Sequence, residues 1–235
     1  MYTYDFRVGF SSSDKDKLMT IPAIIDAFQD CSCFQSDDLG VGFDYLKPLD
    51  LVWIINYWEV EILKSPQYGQ TLTVGTFPYD FRGFFGYRNF FLKDGDEYLV
   101  KANSLWVLMD WKNMRPAKVT EKMTDNYIKE PKLDMTYSPR KITIPGDSKR
   151  IEGEPVVITG HHLDSNGHVN NGQYIKIATG SFDISDSILR LRAEYRVQAH
   201  LGDTVFPILY VSGDTNTISL NDGDGNAYCV MEFIG

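Results

Sequence analysis

Residues 160–174 (GHHLDSNGHVNNGQY) hold three of the four histidines, His161, His162 and His168, together with Asp164 and the amides Asn166, Asn170 and Asn171. Asp and Asn favour turns and helix N-caps, so such a run is able simply to start a helix. The strict alternation of Asp164, Asn166 and His168 asks for more. In an extended loop it turns all three side chains to one side, toward a single cavity. The helix expected over about 169–179 adds unpaired backbone N–H groups near Val169 and Asn170 and the positive end of its dipole. This combination suits polarising a carbonyl oxygen while a carboxylate aligns water.

Other motifs fail on spacing. Gly40-Val-Gly42 lacks the third glycine of a dinucleotide fingerprint, and neither a phosphate-binding loop nor a GxSxG elbow occurs. Asp222-Gly-Asp224-Gly-Asn226 begins like a calcium loop, but Ala227 and Phe233 stand where glycine and a bidentate glutamate belong, so a hairpin turn is expected. The histidines match no usual zinc spacing. No metal and no cofactor is expected.

The elements that must position residues 160–174 read as follows. Alternation predicts a strand over 2–10, and Thr20 with Pro22 opens a helix running to about 35. Period two then returns at 51–62, 71–78, 84–92 and 98–109, with turn signals between. Residues 131–150 hold three prolines and a basic cluster and read as a linker. Beyond it the order recurs: a strand at 154–159, the helix, and strands at 188–198, 203–212, 215–221 and 226–233. The chain therefore reads as α+β, a double hot-dog in which each of two tandem repeats wraps a helix in an antiparallel sheet. The expected division is 1–130, a linker at 131–150, and 151–235.

Composition narrows the field. The 235 residues are 43% hydrophobic and 23% charged, enough for a sizeable core. A net charge of -9 argues against nucleic acid as a partner. The longest apolar run, at 51–55, is far too short to span a membrane. No secretory signal is read at the N-terminus, and a cytoplasmic location is expected. Three cysteines make no disulfide framework, so reduced and mostly buried thiols are expected.

The string Asp164-x-Asn166-x-His168-Val-Asn-Asn171, followed by Tyr174, resembles the active-site motif of the acyl-acyl-carrier-protein thioesterases of bacteria and plant plastids. Separate blocks agree in order: residues 21–30, 52–62, 81–90, 102–110 and Arg115-Pro116. The resemblance implies hydrolysis of fatty acyl-carrier thioesters in fatty acid biosynthesis. It also implies a catalytic second repeat and a first repeat that lends wall to the acyl pocket. Asp164 would act as general base or as nucleophile, with Asn166 positioning water or the thioester and His168 stabilising charge or protonating the leaving thiolate. Backbone N–H groups at Val169 and Asn170 would complete an oxyanion site. One departure stands out. Gln198 occupies the place of a family glutamate and cannot take a proton, and Ala199 follows where some plant members have cysteine. Strand parity puts Gln198 on the polar face with Arg190, Arg192, Glu194 and Arg196, unless a bulge intervenes.

Acyl carrier protein is itself acidic, so docking needs a local basic surface. Lys176, Arg190, Arg192 and Arg196 are one candidate set, and Arg140, Lys141, Lys149 and Arg150 of the linker are another. The expected partners are the carrier and its fatty acyl chain, with the protein a monomer or homodimer. Two other classes stay open: an acyl-coenzyme-A thioesterase, and a non-catalytic hot-dog acyl binder.

Overall fold

Thr20 opens the first long helix as its type requires, its Oγ1 accepting the Ala23 N–H at 3.3 Å with proline in the first turn. This helix, α1 (Ile21–Asp38), buries Ile24, Ile25, Phe28, Cys31, Ser32 and Gln35, one stripe at helical spacing. The computed structural model describes residues 1–164, 167–184 and 188–235. The chain divides into two units, one of Met1–Asn56 and Val60–Tyr137, the other of Tyr57–Glu59 and Ser138–Gly235.

In the first unit the strands are β1 (Tyr2–Arg7), β2 (Leu51–Ile62), β3 (Thr71–Arg82), β4 (Phe85–Asp94), β5 (Glu97–Asp110) and the two-residue β6 (Arg115–Pro116). Short helices α2 (Phe43–Leu46) and α3 (Glu121–Thr124) fill the connections. The strand order is β1-β3-β4-β5-β2, with β6 on β5. Phe28 of α1 meets Phe90 of β4 at 5.3 Å between ring centres, so the helix lies on the sheet. Full burial of such a ring is worth about 2–3 kcal/mol. The β3–β4 ladder shifts register between Pro78 and Asp80, where proline has no N–H to give.

The second unit repeats the plan. It contains β7 (Lys149–Glu152), β8 (Val156–Val157), helix α4 (Asn171–Ser181), β9 (Arg190–Tyr195), β10 (Thr204–Ser212), β11 (Thr215–Asn221) and β12 (Ala227–Ile234). Its sheet runs β9-β12-β11-β10-β7, with β8 also on β10. Residues 222–226 form the expected hairpin turn: the Asp222 carboxylate accepts the N–H groups of Asp224 and Asn226. Each unit is a helix against an antiparallel sheet, the hot-dog arrangement.

Two expectations need correction, and the thiols are mostly buried as expected. The strand expected at 154–159 shrinks to Val156–Val157, because Gly153 and Pro155 punctuate it and Thr159 turns away into a 3-10 turn, Gly160–His162. The segment 131–150 is a pinned strap. In the first unit Asn89 accepts from the Leu133 N–H and the Tyr137 hydroxyl; in the second, Glu59 and Glu194 accept the N–H groups of Ser138 and Ile142. Its last two residues already belong to β7. Among the thiols Cys31 and Cys229 are buried, whereas Cys33 is exposed.

Candidate active site

Asp164 and His168 do not lie on one extended run. Leu163 bridges Val169 in antiparallel fashion, and Gly167 takes a φ of +77° that suits glycine. Across this tight turn the Asp164 N–H donates to the His168 carbonyl at 2.7 Å, and the His168 N–H donates to Asp164 Oδ1 at 3.1 Å. Asp164 and His168 are therefore brought together, by turn chemistry and not by strand alternation, which corrects the expectation for these two. Asn166 lies outside the described residues. Both Asp164 and His168 are half-buried.

The first unit supplies a comparison within the same chain. There the Asp14 N–H donates to the Leu18 carbonyl at 2.9 Å, and the Leu18 N–H donates to Asp14 Oδ1 at 2.9 Å. Ser13 bridges Met19, and Lys17 has a φ of +63°. The Thr20 N–H bonds the Ser12 carbonyl as the Asn170 N–H bonds that of His162. Each partner recurs 150 positions later (Asp14 to Asp164, Lys17 to Gly167, Leu18 to His168). The aspartate thus braces the turn in both units. The imidazoles of His162 and His168 belong only to the second, where Ser12 and Leu18 have no equivalent chemistry. This shared spacing before the two helix caps is the signal that sequence reading missed.

The two expected N–H donors behave differently. The Asn170 N–H is spent on the His162 carbonyl at 3.0 Å, and its Oδ1 accepts the Gly172 N–H at 2.7 Å. Asn170 is the N-cap of α4, which corrects its expected oxyanion role: the helix start consumes that donor. Val169 is 4% exposed, and among the described residues nothing accepts its N–H. In the first unit the matching Met19 N–H donates to Pro66 O at 2.7 Å. A buried backbone N–H that meets no acceptor among the described residues is uncommon, and this one stands beside His168.

Gln198 is half-buried, beyond the end of β9. The N–H groups of Arg196 and Val197 both reach the Tyr228 carbonyl, at 2.8 and 3.3 Å, a bulge that breaks the parity expected of residues 190–198. Val197 is consequently 59% exposed, although Leu191, Ala193 and Tyr195 are buried. Two tyrosines tie this segment to α4. The Ala199 N–H donates to the Tyr174 hydroxyl at 2.8 Å, and the Tyr195 hydroxyl donates to the Asn171 carbonyl at 3.0 Å. Burial raises the Tyr174 phenol well above its ordinary pKa.

Of the basic candidates on α4 and in 190–198, Lys176 and Arg196 are exposed, whereas Arg190 and Arg192 are half-buried. Arg190 is bound to the fully buried carboxylate of Glu59 and to Ser138. Arg192 meets Glu232 at 2.6 Å, the Tyr57 hydroxyl and the Pro139 carbonyl. Arg196 meets Glu194 at 2.8 Å and the Ile142 carbonyl. The three arginines hold the strap and its acids in place, so the docking surface expected of them is occupied by internal partners. Among the described residues no cluster of His, Cys, Asp and Glu is arranged to hold a metal ion.

The model of the acyl-ACP thioesterase N-terminal domain matches residues 1–127, more than half of the chain. The chain belongs to the acyl-ACP thioesterase family. It is 26% identical over 190 residues to oleoyl-acyl carrier protein thioesterase 1, chloroplastic, of Arabidopsis thaliana, covering 74% of this chain and 52% of that one. It is 25% identical over 214 residues to an acyl-[acyl-carrier-protein] hydrolase, chloroplastic, of Cuphea viscosissima, covering 81% and 51%. The chain thus spans about half the length of these family members. Its fold is that of the acyl-ACP thioesterase from Bacteroides thetaiotaomicron, with a TM-score of 0.89 at 20% identity over 99% of this chain and 96% of that one. The 12:0-ACP thioesterase from Umbellularia californica superposes with a TM-score of 0.83, also at 20% identity, over 99% and 96%. Among the described residues no helix is long and apolar enough to cross a membrane.

Proposed function

We propose that this chain hydrolyses the thioester of fatty acyl groups carried on acyl carrier protein and releases the free fatty acid. The observation that carries the mechanism is the buried Val169 N–H, which meets no acceptor among the described residues, beside the turn that pairs Asp164 with His168. Asp164 takes a proton from water, and the oxygen of that water attacks the thioester carbon. The resulting oxyanion is stabilised by the Val169 N–H. When the C–S bond breaks, the leaving thiolate receives a proton by way of His168. Gln198, on a segment fastened to α4 through Tyr174, positions the water or the thioester, and Asn166 shares that task on the strength of the motif alone. Family membership supports the substrate class, and Lys176 is the cation on α4 open to an acidic carrier.

Thiol release measured in parallel from carrier-linked and coenzyme-A-linked acyl groups of graded length tests this reading. Turnover that prefers the carrier is the expected result. Preference for coenzyme A would reassign the carrier, and binding without release from either would make the protein an acyl binder.

A further inference from the structure

His162 does something that its counterpart Ser12 cannot. Both residues give their carbonyl to the N-cap of the following helix, Ser12 to the Thr20 N–H at 2.9 Å and His162 to the Asn170 N–H at 3.0 Å. The backbone turn therefore forms without a ring at this position. In the second unit the ring adds a bond: the Thr159 N–H donates to His162 Nδ1 at 2.9 Å, with Thr159 Oγ1 at 3.1 Å from the same nitrogen. Nδ1 is thereby an acceptor, which places the ring's single proton on Nε2.

We propose that His162 is a positioning residue for the turn that carries Asp164, His168 and Val169, and that a proton added to its Nδ1 removes the ring's hold on that turn and loosens its placement. This inference rests on the function proposed above. Nδ1 cannot accept the Thr159 N–H once it bears hydrogen, so the two donors face each other and the bond is lost. The carbonyl of the same residue holds the cap of α4, so movement of His162 reaches Asn170 and the neighbouring Val169 N–H. The charged groups around the ring oppose its protonation. Partial burial comes first, then His161, whose ring centre lies 4.4 Å away, and then Lys176 on α4; together they lower the pKa from the ordinary 6.5. The neutral ring is therefore the state at neutral pH. The unfolded chain binds this proton more readily, so the bond's contribution to stability falls as pH falls through that interval.

The test uses His162→Asn, whose Oδ1 occupies the δ position of the accepting nitrogen but does not titrate, alongside His162→Ala. Amide spectra are recorded over about pH 5 to 8, together with kcat and KM for thioester release. In the unaltered protein the Thr159 and Asn170 amides and kcat should move together, at an apparent pKa below 6.5. In His162→Asn the titration of the Thr159 amide should vanish and the acid fall in kcat should shift to lower pH. In His162→Ala kcat should drop by about tenfold to a hundredfold at every pH, with KM held. Thr159 and Asn170 amides that titrate in His162→Asn as before, or profiles that superimpose, would overturn the proposal. If no thioester is released at all, the proposed function fails, and the amide titration still decides the role of His162.

Discussion

Tyr174 receives the backbone N–H of Ala199 on its buried hydroxyl at 2.8 Å, which fastens the segment carrying Gln198 to the fourth residue of α4. The tyrosine that follows the Asp164–Asn171 motif thus has a structural task. It ties the helix that starts after the Asp164–His168 turn to the loop that carries Gln198.

Tyr174→Phe keeps the ring and deletes the acceptor. The Ala199 N–H then lies buried without a partner, at a cost of about 1–3 kcal/mol. Thermal unfolding should show the loss, and kcat should fall more than KM rises, because Gln198 loses its anchor.

Asp164→Asn separates the two duties of that carboxylate. An amide oxygen still accepts the His168 N–H and keeps the brace, but the side chain no longer takes a proton. Turnover is expected to fall by about two to four orders of magnitude, with the melting temperature little changed. Retained turnover would remove Asp164 as the base. The matched variant Asp14→Asn should leave turnover untouched.

Arg190→Ala tests the internal role assigned to the arginines. Glu59 is fully buried, and losing its partner leaves a charge uncompensated, a penalty of about 3–5 kcal/mol. Denaturant unfolding should report that loss whichever carrier is supplied. A stable variant with a selective defect toward carrier-bound substrate would restore Arg190 to the docking surface.

Gly75→Ala places a methyl group 2.1 Å from the Phe91 ring, across the β3–β4 ladder. Overpacking of this kind costs about 1–3 kcal/mol. A lowered melting temperature is expected, relieved in the double variant Gly75→Ala/Phe91→Leu.

Thiol labelling should add a single tag per folded chain, at Cys33. All three thiols are raised by desolvation, Cys31 up to about 12, so exposure decides: Cys33 is open to the reagent while Cys31 and Cys229 are buried. Intact mass reads the tag count, and the labelled protein should keep its thioester turnover, since no thiol enters the mechanism.

Much of this architecture is legible in the chain, because periodicity reports burial. Residues 51–62 and 215–221 become strands with those bounds, and Thr20 caps the helix expected of it. What escaped depends on pairing between distant backbone groups. The bulge opposite Tyr228 requires two N–H groups to converge on one carbonyl, and nothing in the types of Arg196 and Val197 announces that. Likewise Asp164 and His168 are legible as partners, but their meeting across a turn depends on Gly167 adopting positive φ. Asn170 shows the same limit from the other side. An asparagine before a helix signals a cap, and only the fold reveals that its own N–H is consumed at His162.

The basic stretch around Arg140 and Lys141 looks like an inviting place to cut the chain in two. It is exposed and rich in sites for a lysine- and arginine-directed protease. Its neighbours Ser138 and Ile142, however, are each fastened by their backbone N–H to a carboxylate, and Pro139 is clasped by Arg192. A protease must draw several residues into its cleft, so it waits for those fastenings to open. Limited digestion should therefore spare this stretch, and dissecting the two halves will call for genetic truncation and not for an enzyme.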